Sequence, residues 1–164
     1  VKAWKKKYQI LSWVTPLVVV LDQLTKWEVV KNFSLGQTRS IVPGIFDLTY
    51  VRNTGAAFGI LAHADARWRI PFFVLVPLVA LVAIFQVFRR IGEKDLKLAY
   101  ALALVMGGAV GNLIDRAWLN YVVDFLLFHW KYEWQFPAFN IADSAICVGV
   151  GILMLDLFHA PDTV

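Results

Sequence analysis

The chain has 164 residues, of which 59% are apolar and 17% charged, with a mean hydropathy of +0.62. A soluble domain averages roughly 45–50% apolar and about 25% charged residues, so an ordinary water-soluble globule is excluded and an integral membrane protein is indicated. The net charge of +4 is not a nucleic-acid signal, because the basic residues sit at the ends of apolar runs and form no exposed stripe.

The length fits one domain. The first basic cluster, Lys2 to Lys7, precedes an apolar run as in a secretion signal. No small-residue cleavage site follows, and Asp22 and Lys26 interrupt the run, so it reads as an uncleaved first span over about Ile10 to Val30. Because the chain opens on Val1 and not Met, its start is expected to have been trimmed or altered. Asp22 and Lys26 lie one helical turn apart on one face. Ile45 to Val51 alternates and is rich in β-formers, with Pro43-Gly44 as a turn before it. A second strand is expected at about Ala56 to Leu61, pairing across Asn53-Thr54-Gly55.

Span two is expected over Ile70 to Phe88, 19 residues without a charge. Pro71 is placed near its first turn and Pro77 as a kink. Span three is expected over Leu98 to Arg116, with Gly107 and Gly111 in a GxxxG spacing that lets helices approach closely. The second outer loop, about 117–140, holds Trp118, Tyr121, Trp130, Tyr132 and Trp134, residues that favour a membrane–water boundary. Span four is expected over Ile141 to Phe158, with Gly149 and Gly151 as contact points. The single Cys147 excludes an internal disulfide and lies in apolar surroundings unsuited to a thiolate nucleophile.

Four spans place both ends on one side. Lys2, Lys5, Lys6 and Lys7, with Arg89, Arg90, Lys94 and Lys97, put eight basic residues in two short segments, which the positive-inside rule makes cytoplasmic. The first outer loop, about 31–69, has five over a longer stretch. In this topology Asp22, Lys26, Asn53, Asn112, Asp115, Arg116, Asp124, Asn140 and Asp143 all fall near the outer face. Asp22 has Lys26 as a partner, and Asp115 adjoins Arg116, either of which can pair across helices, so both acids have a structural reading beside a functional one.

Asp124 and Asp143 have no basic residue within four positions and stand among apolar neighbours. A lone acid of this kind is often just a helix cap. Two acids brought together cannot both ionise easily, so one proton is shared. An ionised acid can then take a proton from water while its neutral partner polarises a carbonyl. That chemistry hydrolyses peptides without a metal or a covalent intermediate. His63, His129 and His159 have no zinc spacing, Ser144 has no GxSxG context, and no nucleotide loop is present. A proton relay or transporter is a rival reading, as is a non-catalytic assembly subunit held by glycine and Asp–Arg contacts.

Five blocks together resemble the bacterial type II, or lipoprotein, signal peptidases: Asp22-Gln23-Leu24-Thr25-Lys26; Asn53-Thr54-Gly55-Ala56-Ala57-Phe58; Gly107 through Arg116; Val122-Val123-Asp124-Phe125; and Phe139 through Ala145. They occur in the family's order with no departure inside a block. The resemblance implies an aspartyl endopeptidase that removes the signal peptide from prolipoproteins, cutting before a Cys that carries a diacylglyceryl group. It implies Asp124 and Asp143 as the catalytic pair, and Asp22, Lys26, Asn53, Gly55, Asn112, Asp115, Arg116 and Asn140 as support or substrate contacts. It also implies no cofactor or metal, membrane lipids and the lipidated precursor as partners, no nucleic acid, sensitivity to globomycin-type lipopeptides, and a monomer. The expected fold is an all-α integral membrane protein of one domain over residues 1–164. Four transmembrane helices carry a small extracytoplasmic β element and outer loops, multi-pass in the bacterial cytoplasmic (inner) membrane, with both termini cytoplasmic and the active site near the outer face.

Overall fold

The computed structural model describes residues 5–55, 65–131 and 133–159. Its order is α1 (Lys6–Asn32), β1 (Thr38–Val42), β2 (Phe46–Asn53), α2 (Ala66–Arg90), α3 (Leu96–Leu119), β3 (Val122–Trp130), β4 (Trp134–Gln135) and α4 (Ile141–His159). The helices match the four expected stretches, each a few residues longer. Because α2 starts at Ala66, Pro71 lies inside it and not in its first turn.

The helix α3 is central and packs against α1, α2 and α4. Its small residues permit this. A Cβ on Gly107 would meet Val18 Cβ at 2.8 Å, and one on Gly108 would overlap the Ala142 carbonyl where α4 begins. On α4, a Cβ at Gly149 would lie 2.6 Å from the Ala101 carbonyl, whereas Gly151 has nothing within 4 Å and is not the contact point expected. At the end of the bundle away from the sheet, Phe88, Ala99, Leu102 and Met106 form a buried cluster. There the buried Lys7 ammonium donates to the carbonyls of Phe88, Arg89 and Ile91 at 3.4, 3.0 and 2.8 Å. A cation so placed satisfies open carbonyls at the negative end of α2.

The outward helix faces are apolar. Trp13 on α1, Val79 on α2 and Phe158 on α4 are 78%, 67% and 80% exposed, within long runs of exposed Leu, Val and Phe. Apolar surface on this scale belongs in lipid. Among the described residues, three stretches are long and apolar enough to cross a membrane: Pro71–Arg90, Leu96–Leu119 and Ile141–Phe158. The 27-residue α1 has the length, but Gln9, Asp22, Gln23 and Lys26 interrupt its apolar character, and it is not among the three.

The β structure is larger than expected. Four antiparallel strands lie in the order β1-β2-β3-β4. The expected Ala56–Leu61 strand lies outside the described residues. β2 pairs instead with β1 through a turn at Pro43-Gly44, where Gly44 has φ +78°, a conformation glycine adopts without a Cβ clash. The second outer loop is not irregular: its first half is β3, which runs beside β2 with Val51 opposite Asp124. Val29, Tyr50, Val123 and Phe125, with Phe33, Leu48 and Ile141 against them, join the sheet to the end of α1 and the start of α4.

Candidate active site

Asp124 lies within β3, and its 2% exposure shows how closely that pairing encloses it. Asp143 reaches the same place by another route. The segment before α4 turns back along β3: Phe139 N donates to Leu126 O at 3.0 Å, and Phe125 N and Leu126 N donate to Phe139 O at 3.0 and 2.8 Å. Asn140, next in the chain, thereby lies against Asp124. Asn140 then caps α4, with Asp143 N donating to its Oδ1 at 2.9 Å and its own N donating to Asp143 Oδ2 at 3.3 Å. This reciprocal pair is an Asn–Asp version of the capping box. The helix-capping reading of Asp143 is therefore correct for one of its oxygens. The other, Oδ1, accepts from Asn112 Nδ2 at 2.7 Å.

The orientation of Asn112 follows from Lys26. Its ammonium can only donate, and its three acceptors are Asp22 Oδ2 at 2.7 Å, Asn112 Oδ1 at 3.0 Å and Asp115 Oδ2 at 3.1 Å. Asn112 must present its oxygen to Lys26, which turns its NH2 to Asp143. Asn140 must present its oxygen to the Asp143 N–H, which turns its NH2 to Asp124 Oδ1 at 2.7 Å and Asn112 Oδ1 at 3.2 Å. On the other side, Gly55 N donates to Asn53 Oδ1 at 3.1 Å, so Asn53 Nδ2 donates to Asp124 Oδ2 at 3.0 Å. Lys26 thus orients Asn112, and two backbone N–H groups orient Asn140 and Asn53, in a network that ends on both carboxylates.

The same cluster ties the elements together. Asp22 Oδ1 accepts from Ala142 N at 2.9 Å, in the first turn of α4. Asp115 Oδ2 accepts from Val123 N at 3.0 Å, beside Asp124. Lys26, Asp22 and Asp115 are 3%, 0% and 3% exposed, so these charges are stable only as a group.

Asp124 and Asp143 open onto one cavity of about 460 Å³. Asn53, Asn112, Arg116 and Ser144 add polar groups to its wall, and Phe136, Phe139 and Ile146 add apolar surface. Burial, and then the negative charge of Asp143, push the Asp124 carboxyl up to about 7, against the pull of the Asn53 and Asn140 amides and Lys26. Asp143 is the third residue of α4, where the positive end of the helix favours an anion.

All ten residues singled out in the sequence meet in this network or its cavity wall. Asp115 pairs across helices, as expected, and not with its neighbour Arg116. Adjacent helical positions face apart: Asp115 turns to Lys26, while the Arg116 guanidinium lies 5.5 Å from the Phe73 ring, donates to Asn112 O at 3.4 Å, and makes no ion pair among the described residues. Sequence reasoning missed Gln23. Its Nε2 donates to Asp115 Oδ1 at 2.9 Å and to Asp22 Oδ2 and Gly111 O, both at 3.2 Å. Only its position beside Asp22 hinted at this. Asp156 lies apart, with Lys97 and Tyr100 on a different cavity.

The family model for signal peptidase (SPase) II matches residues 14–159. The lipoprotein signal peptidase of Syntrophotalea carbinolica is 49% identical over 149 residues, covering 91% of each chain. That of Geobacter metallireducens is 49% identical over 156 residues, 94% of each chain. A bacterial membrane enzyme solved by the in meso method at 2.3 Å superposes with a TM-score of 0.83 at 31% identity, covering 93% of this chain and 89% of that one. The likeness covers nearly the whole chain in sequence and in fold, and the chain belongs to the signal peptidase II family.

Proposed function

We propose that this enzyme, a lipoprotein-processing peptidase by family, removes the signal peptide from prolipoproteins with water activated between Asp124 and Asp143, cutting before a Cys that carries a diacylglyceryl group. The observation that carries this reading is the pair itself: two carboxylates from distant segments on the wall of one cavity, Asp124 accepting from the Asn140 side-chain amide and Asp143 from the Asn140 backbone N–H. With the Asp124 carboxyl raised to about 7, a large share of the protein carries a proton on Asp124 at neutral pH, and that form is the active one. Asp143 takes a proton from water as the hydroxyl attacks the scissile carbonyl, and Asp124 gives its proton to the carbonyl oxygen. As the tetrahedral centre collapses, the proton on Asp143 passes to the departing amine and a hydroxyl of that centre returns its proton to Asp124, which restores the pair. Arg116, which makes no ion pair among the described residues, lies on the same wall, where it offsets negative charge developing on the carbonyl oxygen before the proton from Asp124 arrives.

The substrate is amphiphilic, and so is the cavity. Phe136, Phe139 and Ile146 suit the apolar signal segment and acyl chains, and the amides of Asn53 and Asn112 suit the peptide. A globomycin-type lipopeptide has the same mixed character and is proposed to occupy the same space. We also place the chain as a monomer crossing the bacterial cytoplasmic membrane four times, with α1 as the additional span, both termini cytoplasmic and the site at the outer face. The exposed Trp118, Trp130 and Trp134 suit an interface at that level. The test is cleavage by purified protein in micelles of one precursor prepared with and without diacylglyceryl on its Cys. Cleavage immediately before the lipidated Cys, with little from the unlipidated chain, is expected. Equal turnover of both would overturn the assigned substrate.

A further inference from the structure

A cavity of about 570 Å³ opens between α3 and α4, with Lys97, Tyr100, Ile152, Leu155 and Asp156 on its wall. These residues come from one face of each helix. Lys97 and Tyr100 are one turn apart on α3, and Ile152, Leu155 and Asp156 follow the i, i+3, i+4 spacing on α4. Ala99, between Lys97 and Tyr100 in the chain, belongs to the buried cluster at the end of the bundle away from the sheet, so the cavity lies at that end. One turn before Ile152, Gly149 closes α4 onto the Ala101 carbonyl of α3, a contact that small residues permit.

Two opposite charges share this wall and do not meet. Lys97 and Asp156 make no ion pair among the described residues. Each also stands against the dipole of its own helix. Lys97 is the second residue of α3, at the positive end, and Asp156 is in the last turn of α4, at the negative end. Nor is bulk water the neighbour on the outward side: Leu155, Leu157 and Phe158 are exposed there, and apolar surface of that kind faces lipid. A ligand that offsets both misplaced charges carries an anion for Lys97, a cation for Asp156 and an apolar body for Ile152 and Leu155.

We propose that this cavity binds one bilayer phospholipid of the phosphatidylethanolamine class, at the leaflet on the side away from the sheet. Its phosphate accepts from the Lys97 ammonium and the Tyr100 hydroxyl, its primary ammonium donates to Asp156, and an acyl chain lies along Ile152 and Leu155. The two charges of the wall select this headgroup among common ones. Phosphatidylglycerol brings no cation to Asp156. The quaternary ammonium of phosphatidylcholine has no N–H to donate, and a charge-assisted hydrogen bond to a carboxylate needs one. Because Lys97 and Asp156 belong to different helices, the bound lipid ties α3 to α4 at the end of the bundle opposite the catalytic pair. This site is independent of the peptidase chemistry proposed above and requires only that the chain lie in a bilayer.

The experiment uses the full chain, freed of lipid in micelles, titrated separately with phosphatidylethanolamine, phosphatidylglycerol and phosphatidylcholine of identical acyl chains, with bound lipid counted by native mass spectrometry. The parent protein should bind phosphatidylethanolamine about tenfold more tightly than either of the others, the scale of one charge-assisted hydrogen bond. Asp156→Asn, nearly isosteric, should bind phosphatidylethanolamine and phosphatidylglycerol alike. Lys97→Gln should weaken all three, since all carry the phosphate. Both positions lie outside the catalytic network, so cleavage in micelles should match the parent's. Equal binding of the three lipids by the parent protein would overturn the site without recourse to any variant. So would an undiminished preference for phosphatidylethanolamine in Asp156→Asn, or unchanged binding by Lys97→Gln.

Discussion

Lys26 is the residue that orients Asn112 and neutralises two buried acids, and its removal gives the sharpest test of the architecture. In Lys26→Met the apolar stem is retained and the ammonium is lost. Asp22 and Asp115 then stand buried without a cation, a change that typically costs about 3–5 kcal/mol. For a chain of this size that corresponds to a fall of roughly 6–20 °C in the unfolding midpoint. The damage should be reversible by design. Asp22→Asn and Asp115→Asn keep an oxygen to accept the Ala142 and Val123 N–H groups and remove the stranded charges. The triple variant should therefore recover at least half of the lost stability. It should not recover cleavage, because Asn112 is then free to turn its oxygen towards Asp143 and repel the carboxylate it now supports. Thermal unfolding in micelles, read by intrinsic tryptophan fluorescence, measures the first effect, and cleavage of a lipidated precursor measures the second. A single variant as stable as the parent, or a triple variant less stable than Lys26→Met, would refute the reasoning.

Three further outcomes follow from the same geometry. Asn140→Ala removes the donor that holds Asp124 and the acceptor for the Asp143 N–H, so cleavage should fall about a hundredfold, the scale of a misplacement near 1 Å; steady-state kinetics on folded variant protein measures it. The Asp124 carboxyl is raised from 3.8 to about 7, so its proton is present below that value and lost above it, and cleavage should fall about tenfold per pH unit on the alkaline side. The sign for stability is the same: the group's contribution is fully present below 3.8 and lost as pH rises through about 7, so unfolding midpoints measured across that range should decline for the parent more than for Asp124→Asn. Gly108→Leu should destabilise the fold by about 1–3 kcal/mol and reduce cleavage, because the new side chain displaces the start of α4, whereas Gly151→Ala, where nothing lies within 4 Å of the new Cβ, should leave the rate unchanged and raise the midpoint slightly, Ala being the better helix former.

Much of this was legible in the residues because the bilayer demands long apolar runs. The stretches around Ile70–Phe88, Leu98–Arg116 and Ile141–Phe158 declared three helices with ends correct to a few residues. The convergence of the polar residues was legible for a related reason: apolar surroundings make each Asp or Asn expensive, so each one marks a site. Pairing was harder to read. Asp115 was expected to have a partner across helices, and it does, but its position in the chain could not say that the partner is Lys26. Strand pairing was harder still, since β1 is short, exposed and polar, and β3 looked like an aromatic interface loop because Phe and Trp serve both roles. Gln23 gave no signal beyond its place beside Asp22, since an uncharged amide on a helix has many uses and only its contacts select one.

The account rests most directly on the two carboxylates acting as a pair. Purified Asp124→Asn and Asp143→Asn proteins should each be folded in micelles, retain the lipidated precursor in a pull-down, and fail to cleave it in a single-turnover assay. Cleavage by either variant at close to the parent's rate would contradict the paired-acid mechanism.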